Sequence, residues 1–108
     1  MTTQNNMVSA VSEQNIVRAI RQVYDPDVPL NLYDMGLIYG IKIDGSRVHI
    51  VMTFTSPNCP MADYVLKELH EAVCDVPGVT EVKIEITFDP PWDKSRLSEE
   101  ALLELGML

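Results

Sequence analysis

The Asp44-Gly45 turn constrains the fold more than any other feature of this sequence. It separates a β-rich run at residues 36–43 from a second run at residues 47–55. An Asp-Gly pair between two such runs is a strong hairpin signal, because it suits the positive φ angles of a two-residue turn. We therefore predict two antiparallel strands joined at this turn.

The alternation of residues within these runs divides each predicted strand into two faces, since side chains alternate along a strand. A third strand, at residues 81–88, has the same period and is expected to have one face on the core and one in water. The predicted inward residues are Val48, Ile50, Met52 and Phe54 in the second strand and Val82, Ile84, Ile86 and Phe88 in the third. The predicted opposite face of the second strand holds His49, Val51, Thr53 and Thr55.

Helical periodicity marks the remaining segments. Ser12 is a predicted N-cap for a first helix that ends near Tyr24, before the proline at position 26. A second helix is expected to start at Pro60 and to stop before the Pro-Gly pair at 77–78. Ser98 is the predicted N-cap of a third helix, and Gly106 its C-terminal cap.

These elements predict an α+β fold, a compact two-layer domain of order α-β-β-α-β-(α). Its small three-stranded sheet carries the helices on one face. The strand–helix–strand crossover is right-handed if its two strands are parallel neighbours, and the strand order stays open. The chain of 108 residues fits one domain at residues 11–108, with a disordered tail at residues 1–10.

The charge balance excludes two classes of partner. With 16 acidic and 8 basic residues, the net charge is −8, which disfavours nucleic acid and anionic membrane surfaces. The sequence shows no secretory signal and no apolar run near the roughly 20 residues that span a bilayer. Two cysteines are too few for a disulfide framework, so we expect a reducing, cytoplasmic location.

Cys59 is the strongest candidate for chemistry, because it lies between the end of a strand and the start of a helix. Unpaired N–H groups and the helix dipole stabilise a thiolate there. The alternative is a small buried apolar residue. Cys74 follows about 22 Å further along the helix, too far for a disulfide with Cys59, and is predicted to fill the core. A metal bound through Cys59 has to take other ligands from distant loops, a small thiol, a second subunit or a client.

Three carboxylates stand in the loop before the first strand, at Asp25, Asp27 and Asp34. They form either a solvated, turn-forming loop or an acidic rim that holds a hard ion or positions a partner near Cys59. The hydroxyls of Thr53, Thr55 and Ser56 are candidate supporting groups, because their segment runs toward Cys59.

The remaining motifs give little support for an enzyme. His49 and His70 are predicted to be structural or solvated, and no phosphate-binding glycine loop or metalloprotease motif is present. A thiol enzyme with Cys59 as nucleophile stays a hypothesis, but the sequence places no general base beside it.

Several segments, in this order, resemble the SufT family of metal–sulfur cluster assembly proteins. That family shares its domain with the eukaryotic cytosolic iron–sulfur targeting factors. The resemblance covers residues 16–108 nearly throughout. It is carried by DPD at 25–27, NLYDMGLIYG at 31–40, TFTSPNCP at 53–60, VPGV at 76–79, DPPW at 89–92 and SEEALLELGML at 98–108.

The resemblance implies a non-enzymatic accessory factor that helps to deliver iron–sulfur clusters to apoprotein clients. It implies the assembly machinery and those clients as partners, and a cluster or iron as transient cargo. The family's reactive cysteine maps onto Cys59, its acidic positions onto Asp25, Asp27 and Asp34, and its threonine onto Thr55. Asp27 stands where the family often has Glu, so its side chain is one methylene shorter.

Other functions stay open. One is an adaptor that holds partners through its acidic surface and the Pro91-Trp92 loop without touching the cluster. Another is a subunit of a phenylacetyl-CoA oxygenase-type system, as in the related PaaD proteins. Their cysteine-rich tail has no counterpart here, because no cysteine follows Cys74. A homodimer also stays open.

Overall fold

The computed structural model describes residues 11–25, 29–55 and 60–106, and it confirms the predicted α+β fold and its element order. The predicted tail at residues 1–10 lies outside these ranges. None of the helices in the described ranges has the length and apolar character needed to cross a membrane. The elements are α1 (Glu13–Ile20), β1 (Ile38–Asp44), β2 (Arg47–Met52), α2 (Ala62–Cys74), β3 (Glu81–Ile86), a 3-10 turn (Lys94–Arg96) and α3 (Glu99–Glu104).

The sheet has the order β1-β2-β3. β1 and β2 form the predicted antiparallel hairpin, in which Asp44 pairs with Arg47 and Gly45 adopts a φ of 63°. β2 and β3 are parallel neighbours, and α2 connects them. The structure thus supplies the strand order that the sequence left open.

The predicted N-caps of the first and third helices are confirmed, whereas two predicted helix boundaries are not. The Ser12 side chain accepts a hydrogen bond from Asn15 N–H at 3.2 Å, and the Ser98 side chain accepts one from Ala101 N–H at 3.0 Å. α1 ends at Ile20, short of the predicted Tyr24. α2 begins at Ala62 rather than Pro60, and its N-cap residue is Met61.

The core lies between one face of the sheet and helices α1 and α2. β2 contributes alternate residues to it, and each helix contributes one stripe, as the periodicity predicted. The opposite face of the sheet is solvated, and there His49 lies 3.1 Å from the Glu85 carboxylate. The core residues of these elements are Ile16, Ile20, Val48, Ile50, Met52, Val65, Leu69 and Val73.

Two strand predictions extend too far. β2 stops at Met52, so the predicted common face of Thr53 and Thr55 is wrong: Thr53 is fully buried, whereas Thr55 is exposed. β3 stops at Ile86, and Phe88, predicted to point inward, has 42% of its surface exposed. Without the pairing of a ladder, the backbone no longer alternates side chains between two faces.

The prediction that Cys74 fills the core is also wrong, because its side chain is exposed. Val73, one residue earlier, belongs to the buried stripe of α2. Consecutive residues of an α-helix differ by about 100° around its axis, so Cys74 lies to one side of that stripe. His70, four residues earlier, shares its exposed face.

Candidate functional site

Three separate segments meet at one edge of the sheet, which we call the site edge. They are residues 29–37, which enter β1, residues 53–55, which leave β2, and residues 87–92, which leave β3. Thr53 N–H donates to Leu37 O at 2.9 Å, and Thr87 N–H donates to Met52 O at 2.9 Å. The fold therefore brings together the acidic loop and the segment that leads toward Cys59.

Asp34 is the best-defined predicted site residue, and it is buried, with 7% of its surface exposed. Its carboxylate accepts a hydrogen bond from Asn31 Nδ2 at 2.8 Å and one from Arg21 Nη2 at 3.3 Å. Asp34 N–H in turn donates to Asn31 Oδ1 at 2.8 Å. The expectation of a solvated loop is therefore wrong for Asp34, whereas its place in an acidic rim stays a prediction. Burial of a carboxylate requires such partners, and they fix its orientation.

Arg21 and Asn31 were not among the predicted site residues. Arg21 extends from the end of α1, and its guanidinium also lies 5.1 Å from the centre of the Tyr33 ring. The spacing of Asn31 and Asp34 is a signal for a side-chain-stabilised turn, because Asn readily accepts from a nearby backbone N–H. Nothing in the sequence pairs Arg21 with Asp34, since this contact depends on the packing of α1 against the loop.

The loop that carries the carboxylates is closed by backbone hydrogen bonds at its base. Asp25 N–H donates to Leu30 O at 3.0 Å, and Leu32 N–H donates to Val23 O at 2.9 Å. Asp25 is half-buried at this closure. Asp27 lies outside the described residues.

An open cleft of about 470 Å³ lies beside Asp34. Arg21, Tyr24 and Asn31 line it, and Glu100 and Glu104 of α3 contribute carboxylates to its lining. Tyr24 has 56% of its surface exposed. The cleft is therefore bordered by more acidic than basic groups.

The C-terminal segment, residues 89–106, also contacts this loop. Ser98 N–H donates to Asp34 O at 3.0 Å, and Trp92 Nε1 donates to Met35 O at 2.7 Å. Gly36 has a φ of 77°, and a Cβ at this position would overlap the Arg96 backbone. We call residues 89–98 the strap, because they hold the loop against the sheet.

The remaining predicted site residues divide into three groups. Thr53 donates its hydroxyl to Phe54 O at 3.3 Å and is enclosed by the core. Thr55 is exposed at the site edge. Ser56 and Cys59 lie outside the described residues, so the environment of the thiol stays a prediction.

The start of α2 is the nearest described element that follows Cys59 in sequence. Its N-cap residue Met61 makes no side-chain capping hydrogen bond. Among the described residues, His, Cys, Asp and Glu form no group of three that could hold a metal ion. The described part of the chain therefore supplies no complete ligand set for a metal or a cluster.

Comparison with known proteins identifies the family. A family model described as iron–sulfur cluster assembly protein matches residues 13–85. The chain belongs to this family. The resemblance seen in the sequence motifs is thereby confirmed.

Relatives of this assembly-family chain match it over most of its length. A Porphyromonas gingivalis protein named Fe-S protein maturation auxiliary factor is 50% identical over 90% of this chain and 93% of its own. A Bacillus subtilis protein, Fe-S protein maturation auxiliary factor YitW, is 34% identical over 88% and 94%. A crystal structure of a domain of unknown function from Bacillus anthracis superposes with a TM-score of 0.83. It is 31% identical and covers 89% of this chain and 92% of that chain.

Proposed function

We propose that this assembly-family chain is an accessory factor for iron–sulfur protein maturation that helps to deliver clusters to apoprotein clients. The observation that carries the proposal is its 50% identity, over 90% of its length, to a protein named Fe-S protein maturation auxiliary factor. The transported iron–sulfur cluster, or iron, is a transient substrate. Its expected partners are the assembly machinery and the clients, in the cytoplasm.

Cys59 is the residue that we propose to contact this cargo. Its position before α2 supports a thiolate, because the first N–H groups of a helix favour nearby negative charge. Met61, the N-cap residue, occupies none of these N–H groups with its side chain. A thiolate is also the form of cysteine that binds iron.

The remaining ligands in this proposal come from outside the described residues, including Asp27, or from the client itself. Iron–sulfur clusters are commonly held by four ligands, so a protein that supplies one thiolate holds a cluster incompletely. Incomplete ligation suits transfer, because an apoprotein with a full ligand set binds the cluster more tightly. We propose that Thr55 and Asp25 line the approach to Cys59.

Asp34 has a different role in this proposal. Its carboxylate is occupied by Asn31 and Arg21, so it positions the loop rather than binding the cargo. The strap holds the same loop from the other side through Asp34 O and Met35 O. The loop is thus held both by Arg21 at the end of α1 and by the strap.

The test compares Cys59→Ala with Cys74→Ala under anaerobic reconstitution with iron and sulfide. We expect Cys59→Ala to lose cluster uptake and client activation, measured by visible absorption and by the activity of an apo iron–sulfur enzyme. Cys74→Ala is the matched thiol control and should retain both activities. Circular dichroism and urea unfolding check that each variant is folded. Client maturation by Cys59→Ala at the wild-type rate would refute the proposed role of this thiol.

A further variant separates this function from that of an adaptor. An adaptor would take up no cluster, and it would lose partner binding when the exposed carboxylates of α3 are reversed in a Glu100→Lys/Glu104→Lys variant. The proposed function instead expects cluster uptake that depends on Cys59. Trp92 gives the adaptor little support, because its indole N–H is already bound to Met35 O.

A further inference from the structure

The exposed face of α2 carries a thiol beside an imidazole. Cys74 Sγ lies 3.6 Å from His70 Nδ1 and 3.9 Å from His70 Nε2, and both residues are exposed. Residues four apart on a helix are neighbours on its surface, so the helix itself holds this pair together. Cys74 is the last residue of α2, and about 20 Å of helix separates it from Met61 at the other end.

This geometry places a nucleophile next to a base. An imidazole within reach of a thiol can take its proton and leave a thiolate, which is the attacking species in thiol–disulfide exchange. The buried stripe of α2, which includes Leu69 and Val73, lies on a different side of the helix. A group attached to Cys74 would therefore extend into solvent and leave the core intact.

We propose that Cys74, assisted by His70, is a modification site for small disulfides. The thiol proton passes to His70, and Cys74 Sγ attacks one sulfur of the disulfide. The S–S bond of the small molecule breaks as a mixed disulfide with Cys74 forms, and the departing thiolate takes up a proton. The small disulfide is the oxidant, so each exchange releases one reduced thiol and consumes no other reactant.

The charges around the pair select the type of disulfide. Glu71 and Asp75 flank it and are both exposed, and the carboxyl end of α2 adds the negative end of the helix dipole. Lys67, one turn before His70, is a basic residue on this face, and Arg18 of α1 lines a cleft together with Asp75. The net charge of the chain is −8. A cationic disulfide is therefore attracted to Cys74, whereas an anionic disulfide is repelled. The same charges disfavour the Cys74 thiolate, so the reaction depends on His70 to take the thiol proton.

The test uses Cys59→Ala, in which Cys74 is the remaining thiol, with cystamine as the cationic disulfide and glutathione disulfide as the anionic one. We expect a single adduct on Cys74 by mass spectrometry, formed about threefold or more faster with cystamine at low salt. A second substitution, His70→Gln, should slow both reactions roughly tenfold, because the base is removed. His49→Gln in the same background is the matched control and should leave the rates unchanged.

Three results would overturn this proposal: no adduct on Cys74, equal rates with and without His70, or faster reaction with glutathione disulfide. Glu71→Gln should bring the rates with cystamine and with glutathione disulfide closer together. A purely structural role of Glu71 would leave their ratio unchanged. If Cys59→Ala fails to fold, peptide mapping of the wild-type adducts distinguishes the two thiols. The outcome is independent of the proposed maturation function, because the parent variant lacks the thiol on which that function depends.

Discussion

The two ends of the sheet are stabilised in different ways. At the hairpin end, the Ser46 and Thr80 hydroxyls lie 2.7 Å apart in an exposed position, and Arg47 lies 3.8 Å from the Glu81 carboxylate. Those two charged side chains have 70% and 65% of their surface exposed. At the site edge, Asp34 and Thr53 are buried and hydrogen-bonded.

This difference shows where the fold depends on tertiary contacts. Exposed ion pairs contribute between about 0 and 1 kcal/mol, because water screens the charges. A buried polar group that loses its partner costs more, about 1–3 kcal/mol. The hairpin end is therefore specified mainly by its local turn, whereas the site edge depends on contacts between distant segments.

The largest expected effect comes from Gly36→Ala. Gly36 has a positive φ, and an added Cβ overlaps the Arg96 backbone, so we expect a loss of about 3 kcal/mol in the free energy of unfolding. Gly45→Ala at the hairpin end is the matched control: Gly45 has a φ of 63°, but its Cβ would enter open space. We expect about 1 kcal/mol there. Urea unfolding measures both, and equal losses would contradict the comparison.

A smaller effect is expected from Trp92→Phe. This change keeps an aromatic ring but removes the indole N–H that donates to Met35 O at 2.7 Å in a partly buried position. We expect a loss of about 1–2 kcal/mol in the free energy of unfolding. Tyr39→Phe removes an exposed hydroxyl that donates to Pro90 O, so it should cost about 0.5 kcal/mol or less. The reverse order in urea unfolding would show that the strap is not held through Trp92.

Ser46→Ala tests the hairpin end directly. It removes the exposed hydroxyl contact with Thr80, and we expect a change within about 0.5 kcal/mol, because water replaces the lost partner. The measurement is again urea unfolding. A loss as large as that of Trp92→Phe would mean that the hairpin end depends on more than its turn.

The smallest effect concerns the acid dependence of the strap. Hydrogen bonds from the Ser95 hydroxyl and backbone N–H hold the pKa of Asp93 below its ordinary value of 3.8. The folded state therefore favours the carboxylate, and this contribution is present above that value and is lost as the pH falls through the lowered pKa.

An NMR titration of the Asp93 carboxyl checks this direction. Ser95→Ala should move the pKa of Asp93 upward, toward 3.8, because the hydroxyl donor is removed and the backbone donor remains. An unchanged pKa in Ser95→Ala would show that the side chain of Ser95 does not stabilise the carboxylate.

Local sequence signals predicted the fold class, the hairpin turn and two helix N-caps. The Asp44-Gly45 turn and the caps at Ser12 and Ser98 were all confirmed. Each of them depends on residues within a few positions of one another, so composition and spacing contain the needed information. Cys74, in contrast, was assigned to the core, and its side chain is exposed.

The sequence also marked the candidate site, but not the environment of its residues. It selected Asp34 and Thr53 by motif and alternation, and the structure shows both to be buried. The role of Cys59 stays a prediction, supported by the family to which the chain belongs. Arg21 was missed, because its contact with Asp34 joins two elements that no local pattern relates.

The sequence by itself determined the hairpin, the helices and the family, because turn chemistry, periodicity and motifs act over short separations. Only the tertiary structure decided that the strap closes over the loop, that Asp34 is enclosed and that Cys74 lies beside His70 in solvent. The physical reason is that burial is a property of packed elements. Whether a polar group keeps water or needs a protein partner is set only when those elements come together.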